Sequence, residues 1–267
     1  MKVFVVYAHP NPSSLNATLK DHAVAILRRE EHEVQVSDLY AMKWKAVTDA
    51  DDFPSRVDSA PLNLIVAQAE AYQDGTQVKD IAAEQNKLLW ADAVVLQFPL
   101  WWFGMPAILK GWIERVYAFG FAYGYKDGSN AHRYGEGILA GKRALVSVTT
   151  GGPQKDYGPR GINGPLDQLL FPVTHGALFY PGMDVLPIFA VYGADRLNES
   201  GVAAAKLALE QRLTRLFVDD PIPFRHQNDG DYPDRHTLAP HVAPDISGLP
   251  AHISREEARL LECHPDA

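Results

Sequence analysis

Five short runs of mainly apolar residues set the pattern of the chain, and each has the length of a β-strand. They cover 2–8, 33–39, 92–98, 142–149 and 183–191. Nearly continuous runs that are rich in β-branched residues are typical of strands buried on both faces of a parallel sheet. The pattern therefore predicts a central, largely parallel sheet.

Helical segments are predicted between these strands. Ser13 or Ser14 is suited to cap a helix that runs to about residue 31. Pro106 suits the first turn of a helix over 107–117, and apolar residues recur at helical spacing in 201–217. Further helices are predicted at 61–72 and 81–89, within and just after an otherwise irregular insertion at 42–80. Alternating strands and helices predict a doubly wound α/β fold.

Composition narrows the class of protein. The 267 residues include 25 Lys and Arg against 33 Asp and Glu, a net charge of −8. Because nucleic-acid affinity comes from clustered cations, a nucleic-acid partner is not expected. A single cysteine excludes an intrachain disulfide and any cysteine-rich metal module. Neither a signal peptide nor a membrane-spanning run is evident, so we expect no membrane insertion and a cytoplasmic protein.

The last 49 residues differ from the rest. They hold 7 of the 19 prolines, 5 of the 10 histidines, and ten acidic residues against four arginines. This composition predicts a folded domain over 1–218 and an acidic extension over 219–267. We expect the extension to have no core and either to wrap another surface or to remain mobile. Its histidines are spaced too irregularly for a local metal motif.

The segments richest in functional chemistry follow three predicted strands. We call 9–16 the first loop, 99–104 the second loop and 149–152 the third loop. In doubly wound sheets, ligands bind outside the carboxyl ends of the strands, so these loops are the candidate site.

Each loop suits one part of a flavin-like ligand, and each has a simpler explanation. Free N–H groups at the helix start in the first loop suit a phosphate, although they also fit plain capping, and His9 is equally explained by packing. The second loop lies in a stretch, 98–125, that holds ten aromatic residues and suits a flat heteroaromatic ring or a dimer interface. The third loop offers hydroxyls and bare glycine amides, or is a simple turn.

Other site chemistries have weaker support. Gly-x-Ser-x-Gly, the nucleophile signature of α/β-hydrolases, is absent, as are the Walker and Gly-x-Gly-x-x-Gly phosphate loops. Asp51 and Asp52 lie in a polar stretch, where we expect both carboxylates to be solvated. Trp112 and Tyr117 are assigned to the core.

Four segments together resemble a known family. They are Ala8-His9-Pro10 with Ser14-Leu15-Asn16, the hexapeptide Ser-Asp-Leu-Tyr-Ala-Met at 37–42, the block Gln-Phe-Pro-Leu-Trp-Trp-Phe-Gly-Met-Pro-Ala-Ile-Leu-Lys-Gly-Trp-Ile-Glu-Arg-Val at 97–116, and Thr149-Thr150-Gly151-Gly152. This set resembles the NAD(P)H:quinone oxidoreductases of the DT-diaphorase type over roughly residues 1–218. The resemblance implies a flavodoxin-like fold, non-covalent FAD, reduced nicotinamide and quinone as substrates, and a homodimer with a shared active site.

The resemblance also implies site residues. Tyr157 would support charge on the reduced flavin, and Asn163 stands where the better-known diaphorase has a histidine. The substrate roof would comprise Tyr123, Tyr125 and, from the partner chain, Tyr180. The FAD contacts would be His9, Leu15 and Asn16 at the diphosphate, Pro99, Leu100, Trp101, Trp102 and Phe103 along the isoalloxazine, and Thr149, Thr150, Gly151 and Gly152 at its pyrimidine side.

Two departures from the better-known diaphorase affect the expected chemistry. Asn163 cannot supply a proton or a positive charge, and the family's second mammalian branch, quinone reductase 2, has asparagine there and prefers non-phosphorylated dihydronicotinamide ribosides. The electron donor is therefore left open between NADH, NADPH and a riboside. That branch also binds zinc through two histidines and a cysteine. Here His175 is joined by Phe179 and Phe224, so no metal is expected.

Three alternative functions are retained. An azo or nitro reductase would use the same flavin and flat pocket. An ancillary flavoprotein that regulates a membrane transporter would use the acidic extension for docking. An FMN electron carrier is the third, although such carriers usually lack this length and this aromatic roof.

Overall fold

The computed structural model describes residues 1–56, 61–124 and 126–254, so Tyr125 and Cys263 lie outside the described residues. A six-stranded parallel sheet has the order β2-β1-β3-β4-β5, with β6 also paired to β4. The strands are β1 Lys2–Tyr7, β2 Glu33–Asp38, β3 Ala93–Pro99, β4 Arg143–Thr149, β5 Asp184–Val185 and β6 Phe189–Val191. The helices are α1 Leu15–Arg29, α2 Leu64–Gln73, α3 Lys79–Trp90, α4 Ala107–Val116, α5 Leu166–Leu169 and α6 Glu199–Thr214.

Helices cover both faces of the sheet. Because successive strand side chains point to opposite faces, Phe4 joins a core cluster with Trp112 of α4, whereas Val5 joins a second cluster with Leu27 of α1 and Leu213 of α6. The predicted doubly wound α/β fold is therefore confirmed. Trp112 is fully buried, as expected.

The last predicted strand is divided in two. Residues 183–191 form β5 and β6, which pair with opposite ends of β4. Pro187 lies between them and has no N–H to donate to the sheet, which accounts for the interruption. Among the described residues, no helix is both long enough and apolar enough to cross a membrane.

A buried ion pair joins the 42–80 insertion to α4. Asp52 and Arg115 of α4 are 1% and 2% exposed, and an Arg115 guanidinium nitrogen lies 2.8 Å from a carboxylate oxygen of Asp52. Arg115 also pairs with Asp80 at 2.8 Å, and Lys45 pairs with Asp52 at 3.1 Å. The expectation that Asp52 is solvated is therefore wrong, because the insertion folds back onto α4; Asp51 is exposed as expected.

The described part of the C-terminal extension wraps the domain. Ile222 N donates to Val185 O of β5 at 2.7 Å, and Phe224 joins the same core cluster as Trp112. Ala239 and Ala251 are also buried. The expectation of no core residue after 218 is therefore wrong for these side chains. The division into a domain over 1–218 and an extension stays a prediction.

Candidate active site

The three loops meet at one edge of the sheet. Because β1, β3 and β4 are parallel neighbours, their carboxyl ends lie side by side. Leu100 N donates to Thr149 O at 2.8 Å, which joins the second loop to the third. The rings of His9 and Trp101 lie 5.8 Å apart, which joins the first loop to the second. The structure thus brings together the loops that the sequence singled out.

A buried chain of polar side chains fixes this edge. Ser147 Oγ donates to Gln97 Oε1 at 2.6 Å, and Gln97 Nε2 donates to Asn16 Oδ1 at 2.8 Å. Asn16 Nδ2 then donates to Thr149 Oγ1, also at 2.8 Å. All four side chains are buried, so the start of α1 is tied to the ends of β3 and β4. Sequence analysis missed the roles of Gln97 and Ser147, although polar residues inside apolar strands are a usable signal.

The second loop presents its rings to solvent on a strained backbone. Trp101 and Gly104 exchange backbone hydrogen bonds of 3.1 and 3.0 Å, so Trp102 and Phe103 occupy the tip of a tight turn. Both have positive φ, 49° and 62°, a region that bulky residues rarely adopt. Trp102 is 97% exposed. An exposed aromatic pair held in this way is suited to cover a flat ligand or a second chain.

The other two residues predicted to line the ring are less accessible. Pro99 is buried at the end of β3 opposite Thr149, and Leu100 is half-buried against the core. Their side chains therefore anchor the residues just before the Trp101–Gly104 turn.

The third loop places Tyr157 beside bare backbone. A Cβ added to Gly152 would lie 3.0 Å from Tyr157 Cε2 and 3.2 Å from its hydroxyl oxygen, so a side chain there would fit only if the tyrosine ring shifted slightly. Thr150 Oγ1 donates to Gly152 O at 2.9 Å and holds the turn. Asn163 N donates to Asp156 O at 2.9 Å, which fixes Asn163 to the turn that carries Tyr157.

These loops fit a flavin nucleotide. Ser14 caps α1 by accepting from Ala17 N at 3.1 Å, while the preceding helical N–H groups, those of Leu15 and Asn16, have no intrahelical acceptor. The first turn of α1 contains no acidic residue, so it favours an anion. The Leu15 side chain packs against the core, so Leu15 would contribute its backbone. Exposed rings and bare glycine amides beside this anion site match a flat ring joined to phosphate.

Tyr123 and Tyr180 line a largely apolar cavity that is separate from the three loops. It has a volume of about 950 Å³ and includes Gln68 and Ile65 of α2. Tyr123 Oη donates to Gln68 Oε1 at 3.4 Å, and burial raises the pKa of Tyr123. None of the described residues lining this cavity belongs to the three loops.

Two residues of the expected substrate roof meet in this cavity. Within a single chain, Tyr123 and Tyr180 both line it. That the partner chain supplies Tyr180 to a shared site stays a prediction. Tyr125 lies outside the described residues.

His175 is enclosed by rings at the position where zinc was considered. Its ring stacks at 4.6 Å on Phe171 and at 4.8 Å on Tyr134, and Phe224 lies 5.0 Å away. Burial lowers the pKa of His175 from its usual 6.5 to about 4. A different trio, Glu136, His226 and Asp229, has ligand atoms within 4.8 Å of one another, so the absence of a metal stays a prediction.

We expect His175→Phe to flatten the acid dependence of stability. As the pH is lowered from 6.5 to 4, His175 takes up a proton in the unfolded chain but not in the folded one. The unfolding free energy of the protein therefore falls by up to about 1.4 kcal/mol for each pH unit of acidification. Above pH 6.5 both states are neutral and this effect vanishes. Urea unfolding from pH 4.5 to 7.5 should show a shallower slope in the variant. If the unfolding free energies of the two proteins changed in parallel with pH, the lowered pKa of His175 would be contradicted.

Comparison with known proteins finds relatives that match most of the chain. A model of the flavodoxin-like fold matches residues 1–213. The structure of a Klebsiella pneumoniae protein assigned as a quinone reductase is 53% identical, with a TM-score of 0.91, and the match covers 95% of this chain and 100% of that one. The ribosyldihydronicotinamide dehydrogenase-like protein of Penicillium crustosum is 48% identical over 235 residues, 87% of each chain. Human ribosyldihydronicotinamide dehydrogenase (quinone) is 40% identical over 223 residues, 83% of this chain and 94% of that protein.

The chain belongs to the flavodoxin-like family, within its group of nicotinamide-dependent quinone reductases. The predictions of fold, family and a quinone-reducing NAD(P)H dehydrogenase are confirmed. The relatives support a reductase and not a transporter regulator. Because the Klebsiella match covers 95% of the chain, it must include most of the segment after 218.

Proposed function

We propose that the chain is an FAD-dependent reductase that transfers two electrons from a reduced ribosyl nicotinamide to a quinone, acting in the cytoplasm. The observation that carries this is the meeting of the anion-binding start of α1, the exposed Trp102–Phe103 turn and the Gly151–Gly152 backbone at one sheet edge. Bound flavin would accept a hydride and pass it on, which is chemistry the protein itself lacks.

The chain's own residues would bind and orient the reactants. The N–H groups of Leu15 and Asn16, with His9 at the rim, would hold the diphosphate of FAD. Trp101, Trp102 and Phe103 would cover the ring, and Thr149, Thr150 and the two glycines would contact its polar edge. Tyr157 would donate a hydrogen bond from its hydroxyl to a flavin oxygen that gains charge, and Asn163 would donate an amide hydrogen bond while remaining neutral.

A homodimer would complete the site. Tyr123 and Tyr180 line a cavity apart from the three loops, so a second copy could place that cavity over them. The rim of this cavity exposes Leu64 and Ile65, and the neighbouring Val66 is also exposed. A contiguous apolar surface of this kind is typical of a permanent protein interface.

Ile65→Glu is expected to convert the dimer into a monomer. Burying an unpaired carboxylate in an apolar interface is costly enough to raise the dimer dissociation constant by more than about 100-fold. Leu207→Glu is the matched control, because Leu207 is similarly exposed but lies on α6, away from the cavity. Analytical ultracentrifugation should show a monomer for the first variant and a dimer for the second. A dimer for both would contradict this interface.

Steady-state kinetics test the proposed reaction. With the two substrates using one pocket in turn, double-reciprocal plots at several quinone concentrations should be parallel. Dihydronicotinamide riboside should give a higher kcat/KM than NADH or NADPH, a preference that the names of the Penicillium and human relatives support. Intersecting lines would contradict the alternating use of one pocket, and a clear preference for NADPH would contradict the proposed donor.

Tyr157→Phe tests the chain's own part in catalysis. The variant should bind flavin normally but lower kcat by about tenfold, as expected for the loss of one hydrogen bond to developing charge. An unchanged kcat would remove Tyr157 from the mechanism.

A further inference from the structure

The C-terminal extension and the domain enclose a second cavity of about 280 Å³. The domain contributes Arg133, Tyr134, Phe171 and His175, while the extension supplies the remaining lining residues. These are Arg225, Gln227, Tyr232, Arg235, His236, Leu249 and His252. No described lining residue belongs to the three loops, so this cavity is separate from the proposed flavin site.

The cavity is cationic although the chain is acidic. Among the residues that the structure describes, three arginines and no carboxylate line it, in a chain whose net charge is −8. Arg225 is paired with Asp231. Arg133 is held by Gln227 Oε1 at 2.7 Å, and within the described residues neither Arg133 nor Arg235 has a carboxylate partner. Two guanidinium groups are thus available to an anion.

The walls of the cavity are aromatic. Phe171 and His175 are stacked with their planes 21° apart, and Tyr232 and His252 are stacked with their planes 13° apart. Tyr232 Oη and His252 Nδ1 are hydrogen-bonded at 2.8 Å, which fixes the second pair. The rings of His175 and His252 lie 5.9 Å apart, so the two pairs adjoin and form one aromatic surface against which a flat ring can pack.

We propose that this cavity binds a small aromatic carboxylate, with the carboxylate at Arg133 and Arg235 and the ring against the stacked side chains. Its volume lies just below the range of about 300–1,000 Å³ typical of drug-sized ligands, so one substituted benzene ring fits. The extension would then serve as the second half of a ligand site. The ligand would also contact the support of Tyr180, because Tyr134 N donates to Tyr180 O at 2.9 Å and their rings lie 4.9 Å apart.

Titration calorimetry of the flavin-loaded protein with 4-hydroxybenzoate tests this site. We expect one ligand per chain and no change in the visible flavin spectrum, because the cavity is separate from the flavin loops. Arg235→Gln should raise Kd by about tenfold, the effect of losing one charged hydrogen bond. Arg235 is exposed, so the substitution should leave folding intact. Arg28→Gln, an exposed arginine on α1, is the control and should leave Kd unchanged.

Several results would overturn the proposal. These are the absence of binding at millimolar 4-hydroxybenzoate, an equal Kd for wild type and Arg235→Gln, or binding that perturbs the flavin spectrum. Inorganic phosphate that binds as tightly as the aromatic acid would contradict the role of the rings. None of these outcomes depends on quinone reduction, so the site can fail while the proposed function stands, and the reverse also holds.

Discussion

Gln97→Leu is expected to lower the free energy of unfolding by about 3 kcal/mol, because it leaves two buried polar groups without their partners. Gln97 donates to Asn16 and accepts from Ser147, and all three side chains are buried. The same change should weaken flavin binding by at least about tenfold, since the first turn of α1 loses its tie to β3. Urea unfolding and flavin titration measure the two effects.

Gln211→Leu is the matched control for Gln97→Leu. It makes the same substitution at an exposed position on α6, where we expect a change within about 0.5 kcal/mol and unaltered flavin affinity. If Gln97→Leu behaved like this control, the buried hydrogen bonds between these polar side chains would not be what aligns the three loops.

Asp52→Asn is expected to destabilise the chain by about 3–5 kcal/mol, the usual cost of removing one partner from a buried ion pair. Arg115 would remain buried with one charged partner, Asp80, which is itself partly exposed. The loss should appear as a lower denaturation midpoint with an unchanged slope against urea, because the folded and unfolded surfaces stay the same.

Glu114→Gln provides the comparison for the ion pair. It breaks the pair between Lys110 and Glu114 on the same helix, where both side chains are exposed, and should cost at most about 0.5 kcal/mol. Equal effects from the two variants would mean that Asp52 and Arg115 are not shielded from water in solution.

The sheet and the position of the candidate site could be predicted from the sequence because both depend on local patterns. Strands buried on two faces are continuous apolar runs, and their loops must emerge at the carboxyl edge. The block at 97–116 then indicated the family. Asp52 was misjudged because its partner, Arg115, is distant in sequence, and polar composition alone gives no information about long-range pairing.

The C-terminal extension could not be predicted for the same reason. Phe224 and Gln227 are buried only because of surfaces that 130–180 supply, and proline-rich segments have no periodicity that reveals such contacts. The resemblance alone groups Tyr123 with Tyr180. Their shared cavity is visible only in three dimensions, and the assignment of Tyr180 to a partner chain stays a prediction.

The visible spectrum of the purified protein, before and after incubation with excess FAD or FMN, tests the central claim that the three loops bind a flavin. We expect a yellow protein that retains one FAD per chain through gel filtration and releases intact FAD on denaturation. Retention of FMN in place of FAD would contradict the proposed cofactor. A well-folded protein that stays colourless with either flavin would contradict the flavin site itself.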